Sequence, residues 1–259
     1  EIVYAGHILY RKLAYCLIAA LIGYTLNNHL LEMGGLFDTP AHSRLFAWQE
    51  ILLIFIVAVL FSAPAAIAMG PVFRKAEHFF NKFPIVLRTV LGSLITGGIG
   101  ITIWLLFELN PMHILGMGEE TINQIVKGTN QGSLQIWWVL LLAVVAKTFA
   151  TASTITSGGS AGMLIPSMYM GGLAGAAGFY LLNDIGLYTG TSVAVYVAAG
   201  MAAALTSVAG VPLASITFVI EVYGSEYGPA ACLACAVCFT FSRRFSLYKL
   251  PTRDNDKIK

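Results

Sequence analysis

Ser157-Gly158-Gly159-Ser160-Ala161-Gly162-Met163-Leu164-Ile165-Pro166 is the stretch whose reading decides the fold. Three glycines and two serines sit here between long apolar runs. A helical pattern resumes at once, through Met168, Leu173 and the small residues Gly171, Gly172, Ala174, Gly175 and Gly178. Pro166 falls in what would be its first turn, where a missing N–H costs little. The stretch therefore reads as irregular backbone that opens into a helix. Free N–H groups and the positive end of the helix dipole would face whatever lies in front of it. Inside a membrane such backbone persists only when buried in protein or lining a cavity. Two readings stand at this point: an anion site near the membrane middle, or a loop that is merely rich in glycine.

Composition places the stretch in a membrane. The chain is 57% hydrophobic and 11% charged, against about 25% charged in soluble domains. It reads as an all-α polytopic membrane protein. A net charge of +2 carries no nucleic-acid footprint. Cys232, Cys235 and Cys238 are three apart, but Ala230 to Phe239 is wholly apolar and holds no His, Asp or Glu. They read as small packing residues rather than metal ligands. The chain starts at Glu1-Ile2-Val3-Tyr4, without Met or signal peptide, as if inside a longer protein.

Upstream, apolar segments run from Leu13 to Leu26, Ile51 to Met69, Ile85 to Leu109 and Leu134 to Ala152. Pro64 predicts a kink, and Gly70-Pro71 predicts a break. The basic and aromatic residues Arg74, Lys75, His78, Phe79, Phe80, Lys82 and Phe83 then suit a membrane interface. His29 and His42 read as solvated or headgroup residues. The loop from Asn110 to Gly132 carries Glu119 and Glu120, which as helix neighbours do not share a face. Lys147 is the charge inside a span, either a functional candidate or a residue that snorkels or pairs with carbonyls.

Downstream, the helix that follows the glycine stretch ends near Asp184. Val193 to Val208, Leu213 to Val222 and Pro229 to Phe241 follow, broken by Gly210-Val211-Pro212 and by Gly224 to Gly228. Positive charge concentrates in residues 11–12, 74–88 and 243–259, which places those ends in the cytoplasm. Glu1-Ile2-Val3-Tyr4-Ala5-Gly6 echoes Glu221-Val222-Tyr223-Gly224. Broken apolar segments with an internal echo fit transporter folds built from two inverted halves.

The central stretch resembles the S-G-x-x-x-G-x-F-x-P filter segment of the CLC family of chloride channels and proton-coupled chloride antiporters. Gly200-Met201-Ala202-Ala203 is similar to the family's A-G-M-x-A-x-L run, and Val211-Pro212-Leu213-Ala214-Ser215 to Glu221 to its A-P-L-T/A helix. Ser246-Leu247-Tyr248 is similar to its P-L-Y. The resemblance covers the chain from about Ala146 onward in motifs, and the earlier part in hydropathy. It implies a CLC-type inverted-repeat fold with tilted and broken helices, mostly the second half. Residues 1–11 would end the last helix of the first half, residues 12–250 would hold the second-half spans, and residues 251–259 a short cytoplasmic tail. That short tail implies a prokaryotic-type member, in a bacterial inner membrane.

By the same resemblance the protein is a homodimer in the lipid bilayer that binds chloride, moves it with or without protons, and uses no cofactor. The filter would comprise Ser157, Gly158, Gly162, Ile165 and Pro166. The N–H groups of Met163 and Leu164 and the Tyr248 hydroxyl would hold the anion. Uncharged donors of this kind bind an anion yet let it leave. The chain departs from the pattern at Leu164, where the family has Phe, and at Ser246, where it has Pro. The family's inner proton-transfer glutamate falls at Ile2, or in a shifted register at Glu1. An apolar residue there favours a passive channel, although some antiporters of the family also lack the acid. Leu213 to Val222, with Glu221 and the last helix, would form the dimer interface.

Two other classes fit the residues less well. A membrane-embedded serine protease would use Ser160, but a nucleophile needs a base within reach and no histidine lies in a later span. A cation-coupled solute transporter would want intramembrane carboxylates, and after Glu108 only Asp184 and Glu221 stand at span ends.

Overall fold

The structure is a computed structural model. It describes residues 15–16, 18–20, 22–23, 26, 48–107, 109–128, 132–160, 162–187 and 190–242. These are helical or in short connections, and no strand occurs among the described residues. Glu1, Ile2, Tyr248 and the residues 251–259 lie outside them, as do the residues 1–11.

The first long helix, α1, runs from Trp48–Phe80. It corrects the expected break at Gly70-Pro71, since Pro71 lies inside the helix. The basic and aromatic stretch continues that same helix through Phe80. Proline removes one hydrogen bond and leaves the turns on either side intact. The expected irregularity at Pro64 takes the form of a π-helical segment, Ala58–Ser62, just before it. Wider i to i+5 turns are a common way for a helix to absorb such a fault.

Helix α2 spans Ile85–Phe107, α3 Met112–Leu115, α4 Glu119–Lys127 and α5 Trp137–Thr156. The polar loop thus holds two helical pieces rather than one. Glu119 and Glu120 sit in the first turn of α4 and Lys127 in its last, each at the dipole end that favours its charge. Helix α6 spans Leu164–Asp184, α7 Val193–Ala209, α8 Pro212–Tyr223 and α9 Gly228–Ser242. Among the described residues three helices, α1, α2 and α5, are long and apolar enough to cross a membrane; α7 and α8 are apolar but shorter.

Every residue of α7 is buried. A helix that is apolar all round belongs at the centre of a bundle, and α6, α8, α9 and α1 pack around it. Small residues set the closest approach. A Cβ added to Gly171 would lie 2.2 Å from the Gly200 carbonyl oxygen, and one added to Gly200 would lie 2.1 Å from that of Gly171. Gly175 meets the Tyr196 carbonyl at 2.1 Å in the same way. Two of the three cysteines of α9, Cys235 and Cys238, pack here too, whereas Cys232, expected to pack with them, is exposed. Thr206 Oγ1 donates to Cys235 Sγ at 3.1 Å, and Cys238 is buried.

Candidate functional site

The site begins where α5 stops. The Gly158 N–H donates to the Ile155 carbonyl at 3.2 Å, and the Gly159 N–H to that of Thr154 at 2.9 Å. With φ +98° at Gly158, this is a Schellman closure, and glycine is there because of the left-handed turn. Ser157 closes the end as well. Its hydroxyl donates to the Thr154 carbonyl at 3.0 Å. Its own carbonyl accepts from Arg88 Nε at 3.3 Å and Thr89 Oγ1 at 3.2 Å. Ser157 and Gly158 therefore anchor the loop.

From that anchor the chain turns back along α5. Leu164, Ile165 and Pro166, the first turn of α6, share one cleft with Lys147, Thr151 and Thr154 of α5. Helix α6 thus starts about one to two turns short of the end of a membrane-spanning helix. The cleft has a volume of about 520 Å³ and also touches Ser160 and Gly162. The first intrahelical closure of α6 is the Ser167 N–H onto the Met163 carbonyl, at 3.1 Å. The N–H groups of Met163 and Leu164 make no hydrogen bond among the described residues. These are the orphan donors every helix start leaves.

Of the expected filter residues, Gly162, Leu164, Ile165 and Pro166 come together at the cleft. Met163 sits at the α6 N-cap position, half-buried against the core. Ser157 and Gly158 stand apart as the anchor. Ser160 lines the cleft without having been chosen as a filter residue. Tyr248, Glu1 and Ile2 lie outside the described residues.

Lys147 is 5% exposed. Its ammonium donates to the carbonyls of Ile114, at 2.6 Å, and Gly116, at 2.5 Å. It also stands 5.4 Å from the centre of the Tyr169 ring. Tyr169 in turn donates to the His113 carbonyl, and His113 Nδ1 meets Thr121 Oγ1 at 2.8 Å. Burial holds the His113 imidazole below its usual pKa of 6.5, with Glu120 pulling weakly the other way. His113 Nδ1 is engaged by the loop, and His113 is not among the residues that border the cleft with Ser160. A second cleft of about 770 Å³, bordered by Glu119, Glu120 and Lys127, meets the filter cleft at Gly116 and Met117.

Sequence reasoning missed Arg88 as the partner of the loop and Gly92 as the seat of Ser157. A Cβ on Gly92 would lie 2.2 Å from Ser157 Oγ. The signal was present only as spacing: Arg88, Thr89, Gly92 and Thr96 repeat at helical intervals along α2.

Comparison with known proteins places the chain in a family. The family model described as voltage gated chloride channel matches residues 1–243. The chain is 30% identical over 219 residues to chloride channel protein CLC-f of Arabidopsis thaliana, covering 80% of this chain and 27% of that protein. It is 23% identical over 257 residues to an uncharacterized protein of Methanocaldococcus jannaschii, covering 96% of this chain and 58% of that one. A crystal structure of a CLC-type fluoride/proton antiporter shares the fold, with a TM-score of 0.73 at 19% identity over 96% of this chain and 57% of its own. The chain spans at most 58% of the length of these relatives. With a match over nearly its whole length and a shared arrangement of helices, this multi-pass membrane chain belongs to the voltage gated chloride channel (CLC) family.

Proposed function

We propose that the chain forms one half of a transmembrane anion pathway, with a small anion such as chloride held at the α6 N-terminus. One observation carries the reading. A helix start with free N–H groups opens onto a cleft beside the second half of a membrane-spanning helix. Oriented amides in a low-dielectric site attract an anion. The N–H groups of Met163 and Leu164 act as ligands, and the Tyr248 hydroxyl joins them from the cytoplasmic side. Gly162, Ile165 and Pro166 shape the cleft, with Ser157 and Gly158 behind them. The junction of the two clefts at Gly116 and Met117 gives the anion a route to the polar loop.

The relatives' names include a chloride channel and a fluoride/proton antiporter. Our reading is anion transport, passive or proton-coupled, with Glu1 and Ile2 at the proton position, and no enzymatic step. The homodimer is part of the same proposal. Helix α8 buries Ser215, Val219 and Tyr223 and exposes Leu213 and Ile220, as a face that meets a second copy would. A bacterial inner membrane is the proposed location.

The test is anion efflux from liposomes holding the full-length protein, with pH recorded together. Chloride or fluoride efflux with counter-moving protons in fixed ratio identifies an antiporter. Efflux without linked protons identifies a channel. No efflux of either anion overturns the proposal.

A further inference from the structure

We propose that the groove between α1 and α5 seats one tail of an anionic phospholipid of the cytoplasmic leaflet, with the lipid phosphate at Lys75. This goes beyond the anion pathway and stands independently of it. On α1, Phe61, Ala65, Ala68 and Val72 follow one another at helical spacing, so they form one stripe, and all four line the groove. On α5, Val144, Val145, Thr148 and Phe149 form the facing wall.

Two observations point to that occupant. The first is the fit of the groove to a hydrocarbon tail. Ala65 and Ala68 leave room between the two helices, and the groove has a volume of about 410 Å³. Its one polar side chain, Thr148, spends its hydroxyl on the Val144 carbonyl at 2.8 Å, so no group in the groove calls for water. From Leu60 to Val72 it follows α1 for about 18 Å, at about 1.5 Å per residue. That is close to the depth of one leaflet, half of a hydrocarbon core of about 30 Å. Val145 and Phe149 are each 52% exposed, so the groove is open along its side.

The second is charge at one end of the same stripe. Continuing past Val72 at the same helical spacing reaches Lys75 and then Phe79, both exposed. Glu77, between them in sequence, turns to the opposite face of the helix, because two residues rotate the chain by about 200°. Arg74 and His78 flank the stripe, and Lys82 follows in the turn beyond the helix end. No ion pair to Arg74, Lys75 or Lys82 occurs among the described residues. The positive-inside rule puts this end of α1 at the cytoplasm, where the leaflet is rich in anionic lipid. A lysine at that depth reaches a phosphate, and an aromatic ring beside it suits the same headgroup layer. A zwitterionic lipid would fill the groove equally well but gain less from its basic end.

The test is photocrosslinking of the full-length protein in mixed micelles. The probe is a phosphatidylglycerol with a diazirine at the middle of one tail, and the crosslinked peptides are mapped by mass spectrometry. Crosslinks are expected on both walls, within residues 60–72 and 141–149. Unlabelled phosphatidylglycerol should compete at lower concentration than phosphatidylcholine with the same tails. Lys75→Gln, a change at an exposed helix position, should raise the phosphatidylglycerol concentration for half-competition about fivefold and leave that of phosphatidylcholine unchanged. Crosslinks spread evenly over all apolar helices mean bulk solvation and overturn the site. No crosslink in the groove means that the rest of the full-length chain, or a second copy, covers it, and overturns the proposal. Equal competition by the two lipids, or an unchanged value in Lys75→Gln, removes the anionic headgroup and overturns it as well.

Discussion

The first turn of α6 and its middle are made differently. From Ser167 to Gly178 every residue is buried, and Gly171 and Gly175 touch backbone of α7. In the first turn Leu164 and Ile165 are exposed, 45% and 52%, and the donors that precede them are unspent. The packed part has no freedom to move, because backbone meets backbone and nothing there is compressible. The open part owes its fixed direction to that rigidity. A helix start holds orphan donors at a constant depth only if the rest of the helix is clamped.

That contrast breaks most readily at the clamp. Gly171→Val places a side chain where a single Cβ already falls 2.2 Å from a carbonyl oxygen. Overpacking of this kind costs about 1–3 kcal/mol or more, and the expected result is loss of monodisperse protein on size-exclusion chromatography. A folded variant with unaltered melting temperature would dismiss the clamp. Gly92→Ala should cost about 1–3 kcal/mol, because its Cβ meets Ser157 Oγ at 2.2 Å and Ser157 Cβ at 2.3 Å, and a Cβ moves only with its backbone.

Arg88→Met sharpens the comparison at the anchor. It removes one of two donors to the Ser157 carbonyl, worth about 1 kcal/mol before discounting for the exposure of the guanidinium. Amide hydrogen exchange over residues 157–163 should speed up while exchange in α7 stays unchanged; equal effects in both would mean that the loop has no separate anchor.

His113 tests the loop that Lys147 grips. Its pKa is held below 6.5 by burial, so the folded protein resists the proton that the unfolded chain accepts. Its contribution to stability is complete above about pH 6.5 and declines as pH falls below that value. His113→Gln should flatten the melting temperature between about pH 6.5 and 5, and an unchanged slope would discard the assignment. Gly162→Ala should have the smallest effect on stability, within about 0.5 kcal/mol, since its Cβ meets nothing within 4 Å. Because Gly162 borders the cleft, anion flux should still change. Stability and flux moving together at this position would count against a division of labour along α6.

Much of this was legible from residue order. The Schellman closure at Gly158-Gly159 and the helix start at Leu164 follow from where glycine, serine and proline stand. The spans of α2 and α5 follow from apolar length. The break expected at Gly70-Pro71 did not occur, because neighbouring turns of α1 keep their hydrogen bonds around one missing donor. Lys147 was visible as an intramembrane charge, but whether it snorkels, pairs or lines a cavity was not.

The sequence by itself determined the membrane class, the helices that are long enough to cross, and the irregular loop that opens into α6, since these depend on local composition and backbone preference. Only the tertiary structure decided that Arg88 and Thr89 hold Ser157, that Lys147 reaches the carbonyls of Ile114 and Gly116, and that its face of α5 borders the first turn of α6. Those pairings join residues far apart in the chain, and the first of them depends on Gly92, whose missing side chain leaves the room that Ser157 fills.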